Sequence, residues 1–280
     1  MSSPVAPRTD LSSLVHPRER VYFAISAIAG VLIYAVLILV MINSAEARSV
    51  LLLYGILGVI ISLVVHGLMV GYFRGNAVRV SPRQFPRVHA MVAQHAASFG
   101  MKDAPDVFVL QSGGILNAFA TRFLGRNFVV LYSDILALAE KRGADAVSFV
   151  VAHELAHLKR GHLTYRWLLL PSRVVPFLYG AYSRACEYTC DRFGAAVAPA
   201  GAVQGLLVLA AGGDLYEQVE PRLFAGQAET EGGFWTAVSE IFATHPHLSR
   251  RVGALLETGV SARESDAGAM RAVRQVAGAA

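Results

Sequence analysis

Val151-Ala152-His153-Glu154-Leu155-Ala156-His157 carries two histidines four residues apart with a glutamate between them. On a helix, residues at that spacing lie nearly one above the other, so His153 and His157 present two imidazoles to one point while Glu154 leans over the adjacent edge. That is half of a zinc site with a base beside it. A helix whose histidines merely pack would carry the same letters, so the stretch asks for a further ligand elsewhere.

A catalytic zinc has three protein ligands and an open position for water. Downstream, Ser183-Arg184-Ala185-Cys186-Glu187-Tyr188-Thr189-Cys190-Asp191 sets Glu187 and Asp191 one turn apart on a helix rich in Ala, Tyr and Cys. A solvated helix face often carries such a pair, but this composition suits a buried face. Glu187 then completes a site of two histidines and one carboxylate, and Asp191 reaches the far nitrogen of a ligand histidine and fixes its orientation. Cys186 and Cys190 are softer potential ligands, yet two thiolates with two histidines would close the site and leave Glu154 without a task. At helical spacing they are read as free thiols in a reducing compartment.

The chain as a whole is too apolar for an ordinary soluble domain of its size. Of its 280 residues 54% are hydrophobic and 16% charged, and the mean hydropathy is +0.46. A membrane protein is the class to test. The net charge of +5 is carried mostly by arginine, with no basic run interleaved with aromatics, which disfavours nucleic acid and favours anionic lipid. Residues 1–20 read as a short unfolded tail. Residues 21–42 and 50–73 are uncharged runs of 22 and 24 residues, each enough to cross a hydrocarbon core of about 30 Å. A cleaved signal peptide is a poorer reading of the first, because its apolar run is too long and a second span follows closely. Arg8, Arg18 and Arg20 precede the pair and Arg74, Arg79, Arg83 and Arg87 follow it, whereas the connection holds only Arg48 beside Glu46. Both ends are therefore expected in the cytoplasm, in a two-span protein of bacterial inner-membrane type. Gly67 and Gly71 offer a step that could seat the two helices together. His66, inside the second span, reads as a neutral imidazole facing the partner helix.

The expected fold is α+β and mostly helical, with a domain over 74–257 and an Ala/Gly-rich tail over 258–280. Helical spacing runs from Phe85 to Phe99; Asp106–Leu110, Ala118–Thr121 and Phe128–Tyr132 read as strands between glycine turns, including Gly113-Gly114. Helices follow at about 133–139, from Ala144 to a stop at Gly161, from Ser183 to Ala198, at 202–211, at 234–243 and from Leu248. Residues 217–233 read as a flexible loop. Arginines and prolines interrupt 163–183, so it cannot span. An interfacial segment with Trp167, Tyr179 and Tyr182 at headgroup depth and a helix packed in the soluble core both fit.

HELAH, SRACEYTCD and Thr244-His245-Pro246 together resemble the membrane-bound zinc metallopeptidases that include HtpX and the CAAX prenyl endopeptidases, a gluzincin branch; the likeness covers roughly 74–255. It implies a zincin-like domain holding one Zn2+ on His153, His157 and Glu187, with Glu154 as base and Asp191 behind a ligand. It also implies that Asn117, Ala118, Phe119 and Ala120 belong to an edge strand that pairs with an extended substrate. His245 matches the histidine that either stabilises the transition state or plugs the fourth position. His162 and His247 have no such counterpart and read as structural or exposed. HtpX has further hydrophobic spans where this chain has 163–183, so its topology does not carry over, and Cys190 stands where a small alanine is usual. The function implied is a membrane-anchored endopeptidase acting on cytoplasmic segments of membrane proteins, in quality control or, alternatively, in processing one dedicated substrate. A non-catalytic adaptor stabilised by zinc is the reading from another class, and the oligomeric state is not legible.

Overall fold

A computed structural model describes residues 11–111, 113 and 117–259. The first ten residues of the expected tail, Gly114 of the expected glycine turn and the C-terminal tail from 260 lie outside the described residues. Two long helices come first. After a short α1 (Leu11–Leu14), α2 (Pro17–Asn43) begins on Pro17, whose fixed φ and missing N–H suit a first helical turn. α3 (Ala45–Asn76) follows after Ser44 alone, whose side chain caps Ala47 N–H. The expected connection from 43 to 49 is thus mostly helix.

At 1.5 Å per residue these helices run about 40 and 48 Å, more than a hydrocarbon core requires. Both are long and apolar enough to cross a membrane. The excess enters the domain: Glu19, Ser26 and Gly30 of α2 and Val70 and Phe73 of α3 are buried, while the outer stretches expose rows of Val, Leu and Ile. Residues 11–20 are therefore folded, and Glu19 is 3% exposed. Their polarity hid this: alongside Val15, which joins the main core with Leu11 and Leu14 packed against it, what they bury is an ion pair.

A four-stranded sheet follows: β1 (Val78–Arg79), β2 (Asp106–Leu110), β3 (Ala118–Phe123) and β4 (Arg126–Tyr132), in the order β1-β2-β4-β3. β4 runs parallel to β2 and antiparallel to β3, which forms one edge. Side chains alternate across the pleat. Phe108, Phe128 and Val130 face Val70 and Phe73, with the Phe73 ring 5.3 and 5.6 Å from Phe108 and Phe128, so the second long helix ends as a cover for the sheet. Val107, Val109, Val129 and Leu131 face the main core. Gly67, expected at a helix–helix seat, points instead at Phe123, and Gly71 has open space around it.

The core is built by α4 (Pro86–Ser98), α5 (Ser133–Arg142), α6 (Asp145–Arg160), α8 (Leu178–Val197), α9 (Ala202–Ala211) and α12 (Leu248–Glu257). α6 is buried on most sides and stops at Gly161, whose φ of 72° favours glycine. Phe149 fills its contact with α8 and α9. A Cβ on Gly194 or Gly205 would come within 2.8 or 2.5 Å of that ring, so both must lack one.

Two stretches differ from expectation. Residues 217–233 hold a 3-10 turn (Tyr216–Gln218) and α10 (Pro221–Thr230), capped by the Glu220 carboxylate and packed on α12. Within 163–183 lie α7 (Arg166–Leu169), a 3-10 turn (Pro171–Val174) and the start of α8, which begins at Leu178 rather than Ser183. This stretch packs along α2: Tyr34 Oη donates to Trp167 O at 2.7 Å, and Gly30 is so close to Leu168 O that no side chain fits. Arg166 Nη1 donates to His66 Nε2 at 2.9 Å, so His66 meets this segment rather than the partner helix. Trp167, Leu170, Val174 and Phe177 are exposed, but Tyr182 is buried and cannot lie at headgroup depth.

Candidate metal centre

α6 and α8 cross so that His153, His157 and Glu187 converge. His153 Nε2 lies 3.2 Å from His157 Nε2 and 3.5 Å from Glu187 Oε2, and His157 Nε2 lies 3.4 Å from Glu187 Oε1. Donors about 2.0–2.1 Å from a tetrahedral zinc are about 3.3–3.4 Å apart. These spacings lie close to the corner-to-corner distance of such a site, with Glu187 turning one oxygen to each histidine, and two imidazoles with a carboxylate are the donor set of an open one.

Each histidine turns its outer nitrogen to a further side chain. His153 Nδ1 lies 3.0 Å from Asp191 Oδ1. Arg251 grips the same carboxylate with two bonds of 2.8 and 2.6 Å and reaches Glu187 Oε2 at 3.1 Å. Burial alone would raise both carboxyl pKa values, but the Arg251 guanidinium, with the facing histidines, holds Asp191 and Glu187 below their usual range. Burial opposes the imidazolium form of His153, yet Asp191 and Glu187 outweigh it and push the metal-free group up to about 10. On the other side, His157 Nδ1 lies 3.0 Å from His162 Nδ1, whose Nε2 is 3.3 Å from Glu19 Oε1; Arg160 pairs with that oxygen at 2.7 Å.

Glu154 sits half-buried beside the histidines, and burial raises its pKa. A cleft of about 550 Å³ holds Glu154 together with Asn117, Ala118, Phe119 and Ala120 at the β3 edge. His245 lines it too, its ring nitrogen Nε2 3.5 Å from Glu187 Oε1 and its side chain 66% exposed. The loop bearing His245 follows α11 (Phe234–Phe242), whose last carbonyls are gathered by one guanidinium: Arg184 Nη1 donates to Glu240 O, Ile241 O and Ala243 O at 2.9, 3.0 and 2.7 Å. His247 stands aside, against Ser239 Oγ. Cys186 and Cys190 are buried free thiols whose pKa values burial raises, which makes them poor nucleophiles.

All ten residues singled out in the sequence line or adjoin this one cleft, Asp191 from behind His153. Glu19, His162 and Arg251 were not found that way. Arg251 left a faint signal, a charge at helical spacing with Leu248 and Leu255 on the buried side of α12. Glu19 gave another, as the one acid at the mouth of an apolar helix.

None of the curated proteins matches the chain. The sequence pattern of peptidase family M48 matches it in two overlapping segments, residues 82–174 and 167–259, which together span the domain carrying this cleft. The chain belongs to peptidase family M48 and is a metallopeptidase of the HtpX-like type.

Proposed function

We propose that the protein is a membrane-anchored zinc endopeptidase that cleaves cytoplasmic segments of membrane proteins, as in quality control. The observation that carries this reading is the convergence of three donors with a half-buried carboxylate and a strand edge in one cleft. In it, residues 21–73 anchor a catalytic domain over 74–257, and arginine placement sets that domain in the cytoplasm.

His153, His157 and Glu187 would hold the ion, which when bound supplies a water acidified towards pH 7 and a Lewis acid for the peptide carbonyl. Glu154 takes the proton of the attacking water; its burial-raised basicity brings it nearer to the working pH. It then returns that proton to the leaving amine. His245 donates to the developing oxyanion from the open side of the cleft. The β3 edge at Asn117–Ala120 pairs with the extended substrate through backbone groups. Asp191 holds the His153 ring so that its Nε2 lone pair faces inward.

Glu154→Gln is expected to keep fold and metal content and to lose peptide hydrolysis about 100- to 10,000-fold. Purified full-length protein assayed on a membrane-protein substrate checks this, and unchanged cleavage would sink the assignment. Retained metal with no hydrolysis in the wild type would point to the adaptor. Protease protection of the C-terminal domain tests its cytoplasmic side.

A further inference from the structure

We infer that His162 and Glu19 position the ligand His157, which makes the first long apolar helix a working part of the metal centre. The inference rests on the metal site proposed above. Three observations carry it. His157 presents Nε2 to the other donors, so as a neutral ligand it must carry its proton on Nδ1. That nitrogen faces His162 Nδ1 at 3.0 Å, and two ring nitrogens can bond only if one gives and one accepts. His162 then accepts at Nδ1 and holds its own proton on Nε2, which faces Glu19 Oε1 at 3.3 Å.

One proton assignment therefore satisfies the whole chain, from His157 through His162 to a carboxylate. The alternative tautomer of His162 would place two N–H groups head to head and leave Glu19 facing a lone pair. Arg160 pins the end of the chain, donating to the same Oε1 through Nε at 3.1 Å and Nη2 at 2.7 Å. His162 and Glu19 are almost fully enclosed, with side chains 7% and 4% exposed, so water does not compete for these bonds. Carboxylate support of a ligand histidine is ordinary; here it arrives through a second imidazole, from a residue 141 positions away from Arg160 and outside the segments that match the family.

The same atoms admit a rival arrangement. Glu19, His162 and Cys186 bring donor atoms within 4.8 Å of one another, as do His157, His162 and Cys190. Arg160 on Glu19 opposes a second cation there, and the buried thiols resist deprotonation.

Metal affinity of the full chain in detergent, measured by competition with a chromophoric chelator, separates these readings without any substrate. His162→Leu fills the space but cannot accept a proton, and is expected to weaken zinc binding about 10- to 100-fold. His162→Gln offers both an acceptor for His157 and a donor for Glu19, and should recover much of that loss. The visible bands of the cobalt-substituted protein should shift in the Leu variant and return towards wild type in the Gln variant. Equal affinity in Leu, Gln and wild type would overturn the inference, as would equal loss in both variants. Two metal ions per wild-type chain, one lost in His162→Leu, would make His162 a ligand and overturn it too. Should His162→Leu not fold, Glu19→Gln, which keeps size and shape, must weaken zinc binding severalfold, and unchanged affinity there counts against it. A wild type that binds no zinc would instead sink the proposed function.

Discussion

His153 and His157 stand one turn apart on α6, yet opposite parts of the molecule hold their outer nitrogens. Behind His153 lie Asp191 and Arg251, from α8 and α12, both fully inside the domain core. Behind His157 lie His162, just past the end of α6, and Glu19, on the helix that leads out towards the membrane. The first support is a compact set of charges, in which one guanidinium bridges two buried carboxylates. The second is a line of directed bonds whose far end sits on another structural unit. Two histidines one turn apart can thus depend on different things: one on electrostatic balance, the other on where a helix is seated.

That contrast can be broken from either side. The largest effect is expected for Arg251→Leu, which strands Asp191 and Glu187 as buried charges and should cost about 3–5 kcal/mol in denaturant unfolding of the metal-free chain. Asp191→Asn keeps the shape but removes the charge behind His153, and chelator competition should show affinity about 10- to 100-fold lower. Gly30→Val acts only on the other side. Its side chain meets the Leu168 carbonyl, so α2 must shift, at about 1–3 kcal/mol in thermal unfolding, with weaker metal binding and an unchanged Asp191–Arg251 pair.

The gentlest probe is pH. Asp191 is depressed in the fold, so the stability it contributes is present above its ordinary value of 3.8 and is lost as pH falls through the lower native one. His153 is raised in the metal-free fold, so its contribution is full below 6.5 and fades as pH rises through about 10. The metal-free chain should therefore be most stable between about pH 4 and 6.5. Loading with metal, which requires neutral His153, should remove the alkaline decline. Urea midpoints measured across pH with and without chelator read both arms.

Local periodicity explains what the sequence could disclose. His153 with His157, and Glu187 with Asp191, are one helical turn apart, so spacing alone orients each pair. Arg251 meets Asp191 across 60 positions and His162 meets Glu19 across 143, and no local pattern encodes either meeting. The early start of α8 was hidden for another reason: Phe177 takes a left-handed φ of 65° that its side chain gives no reason to expect. α10 escaped because residues 217–233 read as a flexible loop until the Glu220 carboxylate is seen capping Leu223 N–H.

The triple grip of Arg184 also bears on time. Ala243 is tied down by its carbonyl and Pro246 is buried, so Thr244 and His245, whose side chains meet at 3.0 Å, form a two-residue span between fixed points. A backbone held that tightly cannot swing as a lid. The His245 imidazole can advance or withdraw by turning about its own χ angles, a picosecond-to-nanosecond motion for an exposed side chain rather than the slower opening of a loop. Whatever it does at the open side of the cleft is over long before a peptide has found the strand edge.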